Sequence, residues 1–194
     1  MRVQFVFAVL SALLLAACSP RAATDITSFV DPSHRKPPFT SVVVACYDAT
    51  LDEQMIIETE AAKQFAALGV RAFRRMDVVP PTSTLPPEEK AQKLVGTGAA
   101  AIVVIRPAGV DIVDTYIPPS YTPPGRYTPG SYSPGYVKSR PIAAYQLSVI
   151  DLWTGQQVWK AEAGSRGNSI ATFDDLSRNL AETAVRRLVE DGLF

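Results

Sequence analysis

The chain has 194 residues with 19 basic and 19 acidic side chains, so no long-range field draws it to nucleic acid or to an anionic surface. Two cysteines and one histidine are too few for a disulfide framework, a zinc cluster or a histidine-based hydrolase.

The first segment places Arg2 ahead of an apolar run from Phe5 to Ala17, too short to cross about 30 Å of hydrocarbon and suited to an export signal. It closes on Leu15-Ala16-Ala17-Cys18, which resembles the lipobox of bacterial lipoproteins. That resemblance implies cleavage before Cys18, a diacylglyceryl group on its sulfur and an acyl group on its new amine, with no other cofactor. Several chains make residence on a membrane stable, because each buried methylene contributes about 0.8 kcal/mol. An ordinary secretory signal with an incidental Cys18 is the alternative. Ser19 differs from the Asp that resembles an inner-membrane retention signal, which favours the periplasmic face of an outer membrane. Removal of 1–17 leaves 177 residues, enough for one domain with a sizeable core.

Residues 18–40 contain Pro20, Pro32, Pro37 and Pro38 without sustained periodicity and read as a lipidated terminus and flexible tether with a reach of roughly 25 Å. The lone His34 lies there, in a poor position for catalysis or metal binding. The domain itself is expected over 41–194. Val42 to Cys46 is continuously apolar, as a strand covered on both faces would be, and Cys46 reads as a buried small hydrophobe. Thr50 and Glu53 form a capping pattern for a helix through Met55, Ile56, Ala62, Phe65 and Ala66 that stops at Gly69. Val70 to Met76 predicts a peripheral strand. Thr84 can cap a second helix, with Pro86 or Pro87 in its first turn and Gly96 at its end. Ala99 to Ile105 predicts a central strand closed by Arg106-Pro107.

Residues 107–141 carry eight prolines and five of the seven tyrosines, including Tyr121-Thr-Pro-Pro-Gly125, Tyr127-Thr-Pro-Gly130 and Tyr132-Ser-Pro-Gly135. Pro removes amide donors and Gly follows in turn positions, so a long loop of tight turns is expected rather than helix or central strand. Tyr116, Tyr121, Tyr127, Tyr132 and Tyr136 are the candidate partner-binding residues. Tyrosine offers contact area, a hydroxyl and only two torsions to freeze. The competing reading is a low-complexity insertion that covers a sheet face.

Tyr145, Leu147 and Val149 alternate with Ala144, Gln146 and Ser148, and Trp159, Ala161 and Ala163 with Val158, Lys160 and Glu162. With Asp151 to Gly155 as the turn, they predict an antiparallel hairpin with one wet face. A last helix begins near Thr172, lines up Phe173, Leu176, Leu180, Ala184 and Leu188, and ends at Gly192. The expected fold is therefore α/β, one mixed sheet of about five strands with three helices in the order βαβαβ-loop-ββα.

This order resembles the α/β domain of the TolB N-terminal part, of the lipoprotein activators of penicillin-binding proteins and of the curli secretion lipoprotein. The residues that carry it are Val42 to Gly69, Gly98 to Val104, Asp151-Leu-Trp-Thr-Gly155 with Val158-Trp159, and the closing helix. The hairpin is also similar to one in a broad set of envelope lipoproteins not known as enzymes. The resemblance brings no catalytic residues to carry over, and the Tyr/Pro/Gly insertion departs from those relatives; the anchor, the missing catalytic constellation and the aromatic insertion together predict a non-enzymatic accessory module for an envelope assembly, with an envelope protein or the cell wall as partner.

Gly96-Thr97-Gly98 falls between helix and strand, the reverse of the order that cradles a phosphate. Asp174 and Asp175, like Asp52 with Glu53 and Glu88 with Glu89, sit at helix starts, where free amides favour carboxylates without catalysis. A cell-wall hydrolase using dispersed carboxylates is the second functional reading, and it predicts a concave pocket holding paired acids. Neither oligomeric state nor partner identity follows from these residues.

Overall fold

The computed structural model describes residues 21–34 and 37–194. Within them the strands are β1 (Ala22–Val30), β2 (Ser41–Cys46), β3 (Arg71–Arg74), β4 (Ala101–Ile117), β5 (Ser120–Thr122), β6 (Ser131–Ser133), β7 (Tyr136–Asp151) and β8 (Gln157–Gly167). The helices are α1 (Leu51–Ala67), α2 (Arg75–Val78), α3 (Pro87–Val95) and α4 (Phe173–Glu190). Six strands form one mixed sheet in the order β1-β8-β7-β4-β2-β3, and β5 pairs with β6 in a small second sheet. The α/β class stands, while the sheet is larger and the helices more numerous than the five strands and three helices expected.

The apolar runs act as read. β2 is buried along its whole length and pairs in parallel with β3 and with Ala101–Ile105 of β4. The β2–β3 crossover carries α1 on one face and the β3–β4 crossover carries α3 on the other, as right-handed connections running in opposite directions across the sheet require. α1 and α4 cover the face that holds Val44, Ile105, Tyr145, Leu147 and Trp159. Leu94 of α3 and Val79 cover Val43, Ala45, Ile102 and Val104 on the other face, but only over the β2–β4 half. Beyond it, Ala144, Gln146, Lys160, Glu162 and Arg166 leave the second face of β7 and β8 exposed.

Helix ends follow local chemistry. The Thr50 side chain accepts from Glu53 N–H, and Thr172 with Asp175 makes a reciprocal capping box. Thr84, however, caps nothing. α3 starts at Pro87 behind Pro86, whose fixed φ already suits a first turn, and no side chain caps it. Phe173 opens α4 but is 42 % exposed, so it does not join the buried stripe of Leu176, Leu180, Ala184 and Leu188. The Val70–Met76 strand is shorter than expected, because Arg75 already starts the one-turn α2.

Two corrections bear on function. The first concerns the 18–40 tether, of which residues 22–30 are the edge strand β1, paired antiparallel with β8 from Ala22↔Gly167 to Val30↔Trp159. Its inward residues are Ala22, Thr24, Ile26, Ser28 and Val30, two of them polar and one only a methyl group, and so the period of two is weak in hydrophobicity. Partners supplied by the fold compensate. Thr24 Oγ1 lies 2.7 Å from Ser165 Oγ, and Ser28 Oγ donates to Asp191 Oδ2 at 2.6 Å.

The second concerns 107–141, expected as a loop closed at Arg106-Pro107. β4 instead continues to Ile117 and pairs with β7 down to Ile117↔Tyr136. Pro107 is tolerated because the register shifts between it and Gly109, where a bulge removes the demand for a ladder amide. Pro141 stands just before the first β7–β8 partner, Ile142↔Arg166. Its ring packs on Gly167, where a Cβ would come within 2.9 Å of Pro141 Cγ. Past this point the sheet is only two strands wide and leaves the domain as a ribbon.

Candidate functional site

The ribbon is amphipathic by strand alternation. Val110, Ile112, Asp114 and Tyr116 of β4 stand opposite Ala143, Pro141, Ser139 and Val137 of β7, a face apolar except for the Ser139 Oγ to Asp114 Oδ1 hydrogen bond of 2.6 Å. The other face sets Asp111, Val113, Thr115 and Ile117 against Ile142, Arg140, Lys138 and Tyr136. The apolar face continues the one that α1 and α4 cover inside the domain, yet Val110, Ile112, Tyr116 and Val137 are exposed.

All five candidate tyrosines are exposed, and the fold arranges them along this ribbon. Tyr116 and Tyr136 stand near its end on opposite faces. Tyr121 and Tyr132 are direct cross-strand partners in the β5–β6 tip, and Tyr127, 92 % exposed, occupies the final turn closed by Gly125 and Thr128. The glycines of the repeat answer to close packing. A Cβ on Gly135 would meet Tyr116 Oη at 2.7 Å, and one on Gly130 would meet Pro124 Cδ at 3.0 Å. Cys18 and the signal segment 1–17 lie outside the described residues.

At the ribbon root an open depression of about 610 Å³ lies among Asp25, Asp111, Ile142, Ala144, Gly164 and Arg166. Small residues make its floor, and Asp25 is ion-paired with Arg166 at its rim. Asp111 Oδ1 accepts the Ile112 amide at 2.7 Å. Its two carboxylates are thus engaged by local partners, an arrangement that lends a paired-acid hydrolase no support.

The carboxyl groups that depart clearly from their ordinary range do so downward. An amide of Ser33 holds Asp31 low, and the Thr172 amide does the same for Asp175. Burial pushes Glu60 and Asp191 up, but hydrogen bonds and nearby cations outweigh it. These come from Gln64 and Lys63 in the first case, and from Ser28, Trp159 and Arg187 in the second. A general acid needs the opposite shift. No group of three or more metal-ligating side chains occurs among the described residues.

Sequence reasoning missed one buried polar cluster at the carboxyl end of β2. Glu58 of α1 has a side chain with no exposure. Its Oε1 accepts the Cys46 amide at 3.0 Å and Arg75 Nε at 3.1 Å, and its Oε2 accepts the Met76 amide at 2.9 Å. Arg75 also donates to Gln54 Oε1 at 2.6 Å and stacks over Tyr47. The only sign in the sequence is a charged residue within the apolar side of α1. His34 stacks on Phe39 with ring centres 5.3 Å apart, away from the ribbon.

Cys46 is fully buried, and burial, followed by the charges of Glu53 and Glu58, pushes its thiol up to about 12. The thiolate fraction at pH 8 is then roughly a thousandfold below that of a free cysteine. In a Cys18→Ser chain, Ellman's reagent is expected to titrate Cys46 only after urea unfolding; prompt native reaction would contradict the burial.

The class of protein these features define is an α/β domain with a six-stranded mixed sheet and a projecting two-stranded ribbon. No family model and no curated protein matches the chain. Among solved structures it is similar to the PelC dodecamer of Paraburkholderia phytofirmans, at 17% identity over 86% of this chain and 97% of that one, with a TM-score of 0.50. A point variant of that dodecamer gives 16%, 89%, 100% and 0.51. The lipoprotein GNA1162 of Neisseria meningitidis gives 13%, 78%, 99% and 0.43. At these identities the likeness to PelC is one of fold. Bacterial lipoproteins are among the structural neighbours, and no helix of the described residues is long and apolar enough to cross a membrane.

Proposed function

We propose that the chain is a bacterial envelope lipoprotein, exported by residues 1–17 and lipidated on Cys18, that acts without catalysis as an accessory module docking on an envelope protein or cell-wall component. The observation that carries the reading is the ribbon. An isolated two-stranded hairpin is marginal in water, and this one leaves apolar side chains uncovered on a continuation of the core face. Its flanks, with Val110, Ile112, Tyr116, Tyr136 and Val137, are the docking surface, and Tyr121, Tyr127 and Tyr132 extend it to the tip. The even charge balance and the proposed anchor on Cys18 support a partner in the envelope, at the periplasmic face of an outer membrane.

The PelC neighbours are dodecamers, which makes further copies of this chain one partner to test for. Both outer strands of the sheet, β1 and β3, have a free edge for such contacts. The decisive experiment is in-cell crosslinking with mass spectrometry of captured proteins, comparing the native chain with an Ile112→Lys/Val137→Lys variant. Both sites are exposed, so the variant is expected to fold and to lose its captured partner; capture at the native level would overturn the docking role. A native mass with an unmodified Cys18 would overturn the anchored half.

A further inference from the structure

The anchor point and the ribbon leave the sheet at the same end. Ala22, the first residue of β1, pairs with Gly167 of β8, and Gly167 packs on Pro141 of β7, whose partner across the ribbon is Ile112. The row of Ala22 is therefore the row of Ile112. From that row β4 runs on from Ile112 to Ile117, about 17 Å at strand rise, before the β5–β6 tip adds to it. Between Cys18 and Ala22 the chain has four peptide steps, which span at most about 14 Å fully extended. Even a taut tether running along the ribbon thus leaves the tip beyond the level of Cys18.

We propose that the β5–β6 tip is a lipid-contacting element that enters the headgroup region of the bilayer in which Cys18 is anchored, setting the domain upright on the membrane. This gives Tyr121, Tyr127 and Tyr132 a lipid partner in place of a protein one, leaves the docking role to the ribbon flanks, and rests on the anchored half of the reading above. The tip carries the chemistry that region takes. Tyr121, Tyr127 and Tyr132 each have an apolar ring and a hydroxyl that stays wet, as aromatic residues at membrane interfaces do. Two more apolar side chains stand exposed at the same end of the domain, Ile170 in the β8–α4 connection and Phe173 at the start of α4.

Penetration ends at the interface. A two-stranded ribbon has two open edges whose amides find no partner in hydrocarbon, and Asp114 sits in the middle of its apolar face. The ribbon flanks closer to the domain stay in water, free for a protein partner.

The test uses the mature chain, residues 18–194, coupled through Cys18 to a maleimide phospholipid in phosphatidylethanolamine/phosphatidylglycerol vesicles. Cys46 is buried and stays unmodified. Tyr127→Trp supplies the reporter, and Trp153, 80 % exposed in the β7–β8 turn at the opposite end, is the internal control. Lipids brominated near the headgroup end of the acyl chain are expected to quench the emission added by Tyr127→Trp at least twofold and to leave Trp153 unaffected. An added emission unquenched in vesicles that carry the protein by flotation, or protected only in a dimer formed without lipid, overturns the proposal. Because coupling is imposed chemically, this outcome is distinct from a native Cys18 found without lipid, which bears on the anchored reading alone.

Discussion

Arg75→Ala is expected to be the most damaging single change in the domain, at about 3–5 kcal/mol, because it strands the Glu58 carboxylate where water does not reach. In the native chain that carboxylate has two amides and one guanidinium, and among the described residues the guanidinium supplies the only opposite charge within hydrogen-bond distance. With total stabilities of about 5–15 kcal/mol for a domain, the loss moves a urea midpoint by a large fraction of its value. Removing both charges, as in Glu58→Met/Arg75→Met, restores part of it. Full recovery is not expected, because the Cys46 and Met76 amides then lose their acceptor, at about 1–3 kcal/mol each. A double variant less stable than Arg75→Ala would contradict this account.

Trp159→Ala is the second, at about 3–5 kcal/mol, since the ring is fully buried between the sheet and α4 and its removal opens a cavity. The indole also donates to Asp191 Oδ2 at 2.7 Å, and that oxygen accepts Ser28 Oγ of β1 and faces Arg187 as well. One carboxylate thus ties the edge strand to the last helix. Asp191 is held below its ordinary range when folded, so it binds fewer protons folded than unfolded. Its stabilising contribution is fully present above the unfolded value of about 3.9 and is lost as pH falls through the lower folded value. Asp191→Asn is expected to be less stable than the native chain at pH 7 and to show a shallower loss as pH falls below about 4 by thermal unfolding. If the two pH profiles stay parallel, Asp191 is not the linked group. The same tie sets the tether. Under the proposed membrane contact, freeing β1 would lengthen the segment between Cys18 and the fixed domain from four peptide steps to the full stretch ahead of Phe39, and the tip would no longer be held against the bilayer.

The helices and inner strands were legible because each rests on short-range rules. Thr50 and Thr172 cap where their hydroxyls meet free amides, and Val42 to Cys46 can be comfortable only between two covered layers. β1 was not legible, because Thr24 and Ser28 point inward and are satisfied by Ser165 and Asp191, residues 141 and 163 positions away. The ribbon hid behind its prolines for a similar reason. Whether Pro107 and Pro141 break a strand depends on a bulge and on where β8 stops, both set by neighbouring strands. Of the candidate site, the five tyrosines were legible as a cluster, but their exposure and their order along a rod, with Tyr127 at its end, depended on the ladder register.

By itself the sequence determined the α/β class, the central strands and two helix caps, and a cluster of tyrosines that no core requires. Propensity, capping and hydrophobic period all act within a few residues, and these features need nothing more. The tertiary structure decided that residues 22–30 form a strand, that the proline-rich insertion is a ribbon, and that the start of β1 and the ribbon share one end of the sheet. Those outcomes depend on which backbone amides find partners far along the chain, and no local pattern of side chains encodes that pairing.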